Sequence, residues 1–173
     1  SADDREIVDE ALRRLDGLNA MVTDLLLYAR PPKLRLAPVD VNVLVESLMA
    51  FLRLDASWRD VDSRVEGQAP GVMADAELLK IALQNLLLNS LHAMNGRGSV
   101  AVRMSRTDSV VNIDVSDSGG GIKPDVLPRL FTPFFTTKPA GVGTGLGLAV
   151  CQRIVTGYGG EIQDESTTGK GAT

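Results

Sequence analysis

The sequence predicts an α+β fold: a two-layer α/β sandwich with a mixed sheet covered by helices on one face, preceded by one long helix of the bundle type. Three observations carry that expectation. Heptad spacing is confined to residues 3–30. Beyond it, helix-like and strand-like runs follow one another without regular βαβ alternation. Glycine and proline then dominate residues 117–147 before a last helical run.

In the first segment Val8, Ala11, Leu15, Leu18, Val22, Leu25 and Ala29 recur in steps of three and four, the seam of a coiled coil or antiparallel bundle. Asp9 with Arg13 and Glu10 with Arg14 add helix-face ion pairs, each worth about a few tenths of a kcal/mol. Pro31-Pro32 ends the helix, because proline lacks the amide donor and pushes its predecessor out of helical space. Nothing within the segment buries the seam. Two readings stay open, a helix lying on the domain that follows or half of a hairpin, and strict heptads favour the helical partner.

A linker from Pro31 to Pro38 leads to a second helix, with Asp40 as its N-cap and Val43, Leu44, Leu48, Phe51 and Leu52 as its apolar face. Short strands are expected near 60–66 and 71–74, joined by a turn region at Gly67–Gly71. Asp75 caps a long helix to about Asn95 carrying Leu78, Leu79, Ile81, Ala82, Leu86 and Leu88, and Gly96-Arg97-Gly98 stops it. Residues 99–106 and 109–116 alternate as an antiparallel pair around Thr107-Asp108, with Val100, Val102, Met104, Val111, Ile113 and Val115 inward. Residues 146–158 read as a helix and 160–166 as a strand.

Composition narrows the function. With 173 residues, 44% hydrophobic and 23% charged, wholesale disorder is excluded. Lys+Arg 18 against Asp+Glu 22 leaves a net charge of −4, which argues against a nucleic-acid partner, whose phosphates need a basic field. A single cysteine, Cys151, excludes an intramolecular disulfide and a Cys-rich zinc cluster. The most apolar stretch, 78–94, is cut by Lys80, Gln84, Asn85, Asn89 and His92, so no membrane span or direct membrane contact is expected. The acidic opening SADDREIVDE does not resemble a signal peptide. The expectation is a soluble, cytoplasmic domain.

Four segments carry chemistry. In QNLLLNSLHAM, residues 84–94, Asn85, Asn89 and His92 share one stripe of an apolar helix, and buried amides there want polar company. In DSGGGI, residues 117–122, an acid precedes glycines that let a ligand lie against bare backbone, and a carboxylate there can accept from an exocyclic amine such as adenine's. In LFTPFFTTK, residues 130–138, Pro133 and Pro139 frame Phe131, Phe134 and Phe135, a cluster expected to anchor the loop to the core. Lys138, at its end, can reach a phosphate as a point charge. In GVGTGLGLAV, residues 141–150, Gly141, Gly143, Gly145 and Gly147 run into a helix and present free amides to an anion. The pattern is neither a P-loop nor a Rossmann turn.

Together, in this order, the four segments resemble the N, G1, F and G2 boxes of bacterial sensor histidine kinases, whose ATP-binding domains belong to the GHKL superfamily shared with DNA gyrase B, the mismatch-repair ATPase and the heat-shock chaperone ATPase. The resemblance covers about residues 35–173, and residues 3–30 resemble the second helix of the family's dimerisation hairpin. It implies a partial dimerisation unit at 1–32 and an ATP-binding catalytic domain at 33–173. It further implies that Asn89 ligates Mg²⁺ on the ATP phosphates, with Asn85 beside it, and that Asp117 reads the adenine amino group, with Gly119 and Gly121 admitting the base. Gly143, Thr144, Gly145, Leu146 and Gly147 become the phosphate-facing end of a mobile lid over about 131–147. Lys138 becomes a lid cation for the γ-phosphate, and His92 a polar position near the phosphates.

The hydrolytic members resemble one another in a glutamate, four residues before the metal asparagine, that activates water. Here that position is Asn85, so the resemblance implies a kinase whose nucleophile is a histidine outside the chain, and whose phosphoryl group passes to a response-regulator receiver domain. The implied partners are thus ATP, the phosphoacceptor helix, the receiver domain and, in the parent kinase, a second copy. The one histidine, His92, lies inside the N box, so the phosphoacceptor is missing and a fragment of a longer kinase is expected. A degenerate GHKL binding module and a serine kinase of the anti-sigma type are the alternatives.

Overall fold

The centre of the fold is the pair of alternating segments anticipated around Asp108. In a computed structural model that describes residues 2–30, 32–138 and 143–173 (side chains of 2–6, 9, 10, 13, 14 and 16 excepted), β4 (Gly98–Thr107) and β5 (Val110–Asp117) run antiparallel. Pro31, Pro139, Gly141 and the two helix-face ion pairs fall outside the described residues. β2 (Val61–Gly67) joins the other edge of β4 in parallel, so the three-stranded sheet has the order β2-β4-β5 and is mixed. Val100, Val102 and Met104 are buried, and Val111, Ile113 and Val115 pack against the same core, while Asp62, Arg64 and Arg103 face away from it.

Two helices cover the apolar face. α2 (Val41–Leu52) begins at Asp40, whose side chain accepts from the amides of Asn42 and Val43, and buries Val41, Val45, Leu48 and Met49. α3 (Ala76–Ala93) begins at Asp75, which accepts from the Leu78 amide, and buries Leu79, Leu83, Leu87 and Leu91 against the sheet. Leu78 and Ala82, on another side of α3, meet Val150, Cys151 and Ile154 of α4 (Gly147–Gly157) in a second apolar cluster. Among the described residues no helix is long and apolar enough to cross a membrane.

Three expectations are corrected here, the first being that Val43 and Phe51, placed on the apolar face of α2, are exposed, because that face is centred on Val41, Val45, Leu48 and Leu52. The linker contains a strand, β1 (Ala37–Val39), paired antiparallel with β3 (Val72–Ala74), and proline is tolerated at Pro38 because so short a pair is all edge. β2 and β3 therefore belong to different sheets. Residues 160–166, expected as a strand, are irregular apart from a bridge between Ser166 and Ala172. That segment offers one apolar side chain, Ile162, and so has no face to bury. The edge of β5 is taken by residues near Ala172 instead: Asp117 N donates to Ala172 O at 2.9 Å, and Glu165 and Thr173 exchange two backbone bonds.

α1 (Ala2–Ala29) does not lay its seam on the domain that follows. Val8, Leu15, Leu18, Val22 and Leu25 all stay exposed, 44% to 57%. A different side of the last turns docks on the domain: Leu27 and Tyr28 join the α4 cluster, and the Arg153 guanidinium lies 5.5 Å from the centre of the Tyr28 ring. One turn earlier, Asp24 is half-buried. Burial lifts its carboxyl above the ordinary range, and a hydrogen bond from the Thr144 hydroxyl partly offsets the rise. The nearby Cys151 thiol is pushed up to about 12, first by burial and then by Asp24's charge.

The sign for Asp24 follows from linkage. With a folded-state pKa above 3.8, the native chain holds the proton more tightly than the unfolded one, so this group's contribution to stability falls as pH rises from 3.8 through the raised value. Asp24→Asn, which can still accept from Thr144, is expected to raise the melting temperature at neutral pH and to lose that advantage below pH 3.8, as thermal unfolding across pH will show.

Candidate functional site

Asn85, Asn89 and His92 continue, in steps of four and three, the side of α3 on which Leu78 and Ala82 meet α4, and so pass the start of α4 beyond the apolar cluster. Asn85 Oδ1 lies against Gly147, the first residue of α4. Asn89 Oδ1 accepts from Lys138 Nζ at 3.2 Å, and the same ammonium lies 3.0 Å from His92 Nδ1. The asparagine stripe, the lysine and the start of α4 are thus brought together. Burial lowers the Lys138 pKa; loss of hydration, then the charge of Lys138, lowers that of His92.

Asp117 ends β5 at the far end of the same helix. Its Oδ1 accepts from Gly119 N at 2.8 Å, which leaves Oδ2 as the oxygen with capacity for a ligand. Gly119 approaches the Ala93 carbonyl, which places this loop about 6 Å along the α3 axis beyond Asn89. The carboxylate therefore stands near the C-terminal end of the helix that carries the amides. Gly121 has φ +68° and lies where a β-carbon would stand 2.4 Å from the Thr167 carbonyl oxygen, so glycine is required there.

The glycine-rich end of the lid segment, as far as it is described, is tied down at Thr144. Its hydroxyl accepts from Leu146 N at 3.1 Å and donates to Asp24. Leu146 is buried, so only its backbone is available to a ligand. Gly143 packs on the methylenes of Lys138. The phenylalanine cluster does not anchor its loop to the core, contrary to expectation: Phe134 is 64% exposed, Phe131 and Phe135 are half-buried, and the Arg129 guanidinium covers Phe135 at 4.3 Å. What holds the loop is backbone on backbone. Gly145, at φ +66°, lies so close that a β-carbon would stand 2.5 Å from the Phe134 carbonyl carbon.

Several positioning groups were not legible as such. Ser166 Oγ accepts from Ile122 N at 2.7 Å and donates to Gly171 O at 2.9 Å, pinning the loop after Asp117. Ser118 Oγ accepts from Ser99 N, and Thr136 Oγ1 accepts from Lys138 N at 3.1 Å. Only the last had a local signal, a threonine two residues before the amide it turns. A cavity of ≈ 320 Å³ lined by Leu27, Leu34, Leu78 and Ile154 lies at the α1 junction, apart from this face.

A mixed sheet under helices, an asparagine stripe, an acid-glycine turn and a glycine loop opening a helix define a nucleotide-binding class, and the chain belongs to the histidine kinase-, DNA gyrase B- and HSP90-like ATPase family, which matches residues 74–173. Within it, the chain is 40% identical over 163 residues to the sensor histidine kinase ZraS of Escherichia coli (strain K12), covering 93% of this chain and 35% of that protein. It superposes on the crystal structure of full-length ShkA in complex with AMPPNP with a TM-score of 0.84 at 29% identity, over 99% of this chain and 38% of that one. On the nucleotide-free catalytic domain of the histidine kinase ThkA the TM-score is 0.71 at 27% identity, over 80% of this chain and 91% of that one. The chain spans about a third of the length of the curated relatives it matches.

The Ser166 hydroxyl holds two backbone groups at once. Ser166→Ala is expected to cost about 1–3 kcal/mol in urea unfolding and to speed hydrogen exchange at the Ile122 amide above the global rate.

Proposed function

We propose that this chain is the ATP-binding catalytic part of a sensor histidine kinase, with residues 1–32 as a partial dimerisation helix and 33–173 as the catalytic domain. It positions Mg²⁺–ATP for transfer of the γ-phosphoryl group to a histidine outside these residues, from which the group passes to a response-regulator aspartate. The carrying observation is the α3 stripe: Asn89 against the Lys138 ammonium, with Asn85, an amide rather than a carboxylate, against the start of α4.

A divalent cation fits that arrangement. Asn89 Oδ1 is a neutral hard oxygen that already faces positive charge, and among the described residues no group of three or more His, Cys, Asp or Glu competes for the ion. One protein ligand, with the remainder left to water and substrate phosphates, is the habit of Mg²⁺. When bound, the ion neutralises phosphate charge as the phosphoryl group transfers. The chain's own residues do the rest. Asp117 accepts from the adenine amino group, and Gly119 and Gly121 keep side chains out of the base's way. Gly143, Thr144, Gly145, the backbone of Leu146 and Gly147 offer amides and a helix N-terminus to the phosphates. Lys138 meets the γ-phosphate, and His92 holds a polar position beside it.

Asn85 cannot take a proton from water near neutral pH, so the site suits a nucleophile supplied from outside. The only histidine of the 173 residues, His92, sits on α3 next to Lys138 and is not placed as a bundle-helix acceptor. Calorimetry should show Mg²⁺-dependent ADP binding. Asp117→Asn should weaken it by about tenfold or more, the scale of a charged hydrogen bond, and Asn89→Ala should remove the Mg²⁺ dependence. With the parent kinase's bundle supplied in trans, γ-phosphate label should appear there as acid-labile phosphohistidine. No ADP binding by the folded chain, or label retained on serine, would overturn the reading.

A further inference from the structure

We infer that Lys138 is a resident cation that holds the metal position at Asn89 while no nucleotide is bound and gives it up to Mg²⁺–nucleotide, an inference that rests on reading Asn89 as the metal ligand. The lysine is seated rather than draped. Its ammonium has two neutral acceptors, Asn89 Oδ1 at 3.2 Å and His92 Nδ1 at 3.0 Å, and the structure shows no carboxylate in an ion pair with it among the described residues. A lysine on a free surface keeps its head in water; this one is half-buried.

The seat is prepared on both sides. Thr136 Oγ1 accepts from the Lys138 amide at 3.1 Å and turns the chain toward α3. Gly143 leaves room for the methylenes, where a β-carbon would stand 3.0 Å from Lys138 Cδ. An ammonium and a hydrated divalent cation seek the same partner, a hard uncharged oxygen, and two cations at one oxygen repel strongly in a partly desolvated site. Lys138 must therefore leave Asn89 when the metal is seated. The γ-phosphate, present in ATP and missing from ADP, is then the anion it can pair with. The lysine thereby becomes a discriminator between the two nucleotides as well as a stand-in for the metal.

This makes the effect of removing the charge depend on the metal. Lys138→Met keeps the apolar stem and loses the ammonium. With Mg²⁺ present, the Met variant of the 173-residue chain is expected to bind ADP about fivefold more tightly than the parent, because nothing has to be displaced. In EDTA it is expected to bind ADP about fivefold more weakly, because the surrogate cation is gone. Calorimetry in the two buffers reads both signs. A second readout is the Asn89 side-chain amide in NMR spectra: it should differ between parent and variant without nucleotide and coincide in the Mg²⁺–ADP complexes. Weaker ADP binding by the variant in both buffers would make Lys138 an ordinary phosphate ligand and overturn the inference, as would no change in either. A parent chain that fails to bind Mg²⁺–ADP at all would overturn the site reading itself, and this inference with it.

Discussion

The constraint on which the site depends is that α3 is asked to do three things at once. One side of it buries Leu79, Leu83, Leu87 and Leu91 against the sheet, and another buries Leu78 and Ala82 against α4. Continued toward the C-terminal end of the helix, that second side carries Asn85, Asn89 and His92, and an amide held next to so much apolar surface is costly unless both its ends find partners. The neighbours meet that demand in part. Gly147 is bare where Asn85 approaches, and Lys138 donates to Asn89. The helix that anchors the core is thus the helix that presents the polar atoms, which makes the geometry of the site as rigid as the core itself.

Rigidity on α3 contrasts with how the loops around it are held. The turn after Asp117 is fastened by single hydrogen bonds from Ser166, by Gly169 N to Gly120 O at 2.7 Å, and by the bridge from Ala172. The phenylalanine segment is fastened by backbone packing at Gly145, with Phe134 left in solvent. Contacts of this kind are few and local, which is the physical basis for low local stability next to a stable core. Thr144 adds a longer link. Its bonds to Leu146 N and to Asp24 join the start of α4 to the last turns of α1, where Leu27 and Tyr28 dock.

Much of this was legible in the sequence because it depends on local chemistry. Asp40 and Asp75 announce their helices by capping, the Val100 and Val111 runs announce their strands by alternation, and the four polar and glycine-rich boxes announce the site by their order. The misses share a cause. β1 is three residues long and contains Pro38, so its strand character lies wholly in its pairing with β3. The expected strand at 160–166 failed because the place beside Asp117 is taken by a segment with no strand pattern of its own. The phenylalanines were expected to be buried on composition alone, yet what decides is the close approach of Gly145, which no pattern in either segment reveals. Ser166 and Asp24 matter through partners 44 and about 120 residues away, beyond any window of local reading.

The choice between transfer and hydrolysis comes down to what stands beside Asn89. A water molecule attacking a phosphoryl group needs a base within hydrogen-bond reach, and the stripe offers Asn85, an amide with no proton affinity near neutral pH. His92 could hold a proton, but the burial of its ring disfavours the imidazolium a base must become. On the proposed reading, positioning, amides and a cation remain, a set that suits phosphoryl transfer to an acceptor that brings its own nucleophile. The groups offered to the phosphates are, on that reading, donors and dipoles, and the nucleophile has to arrive on another helix.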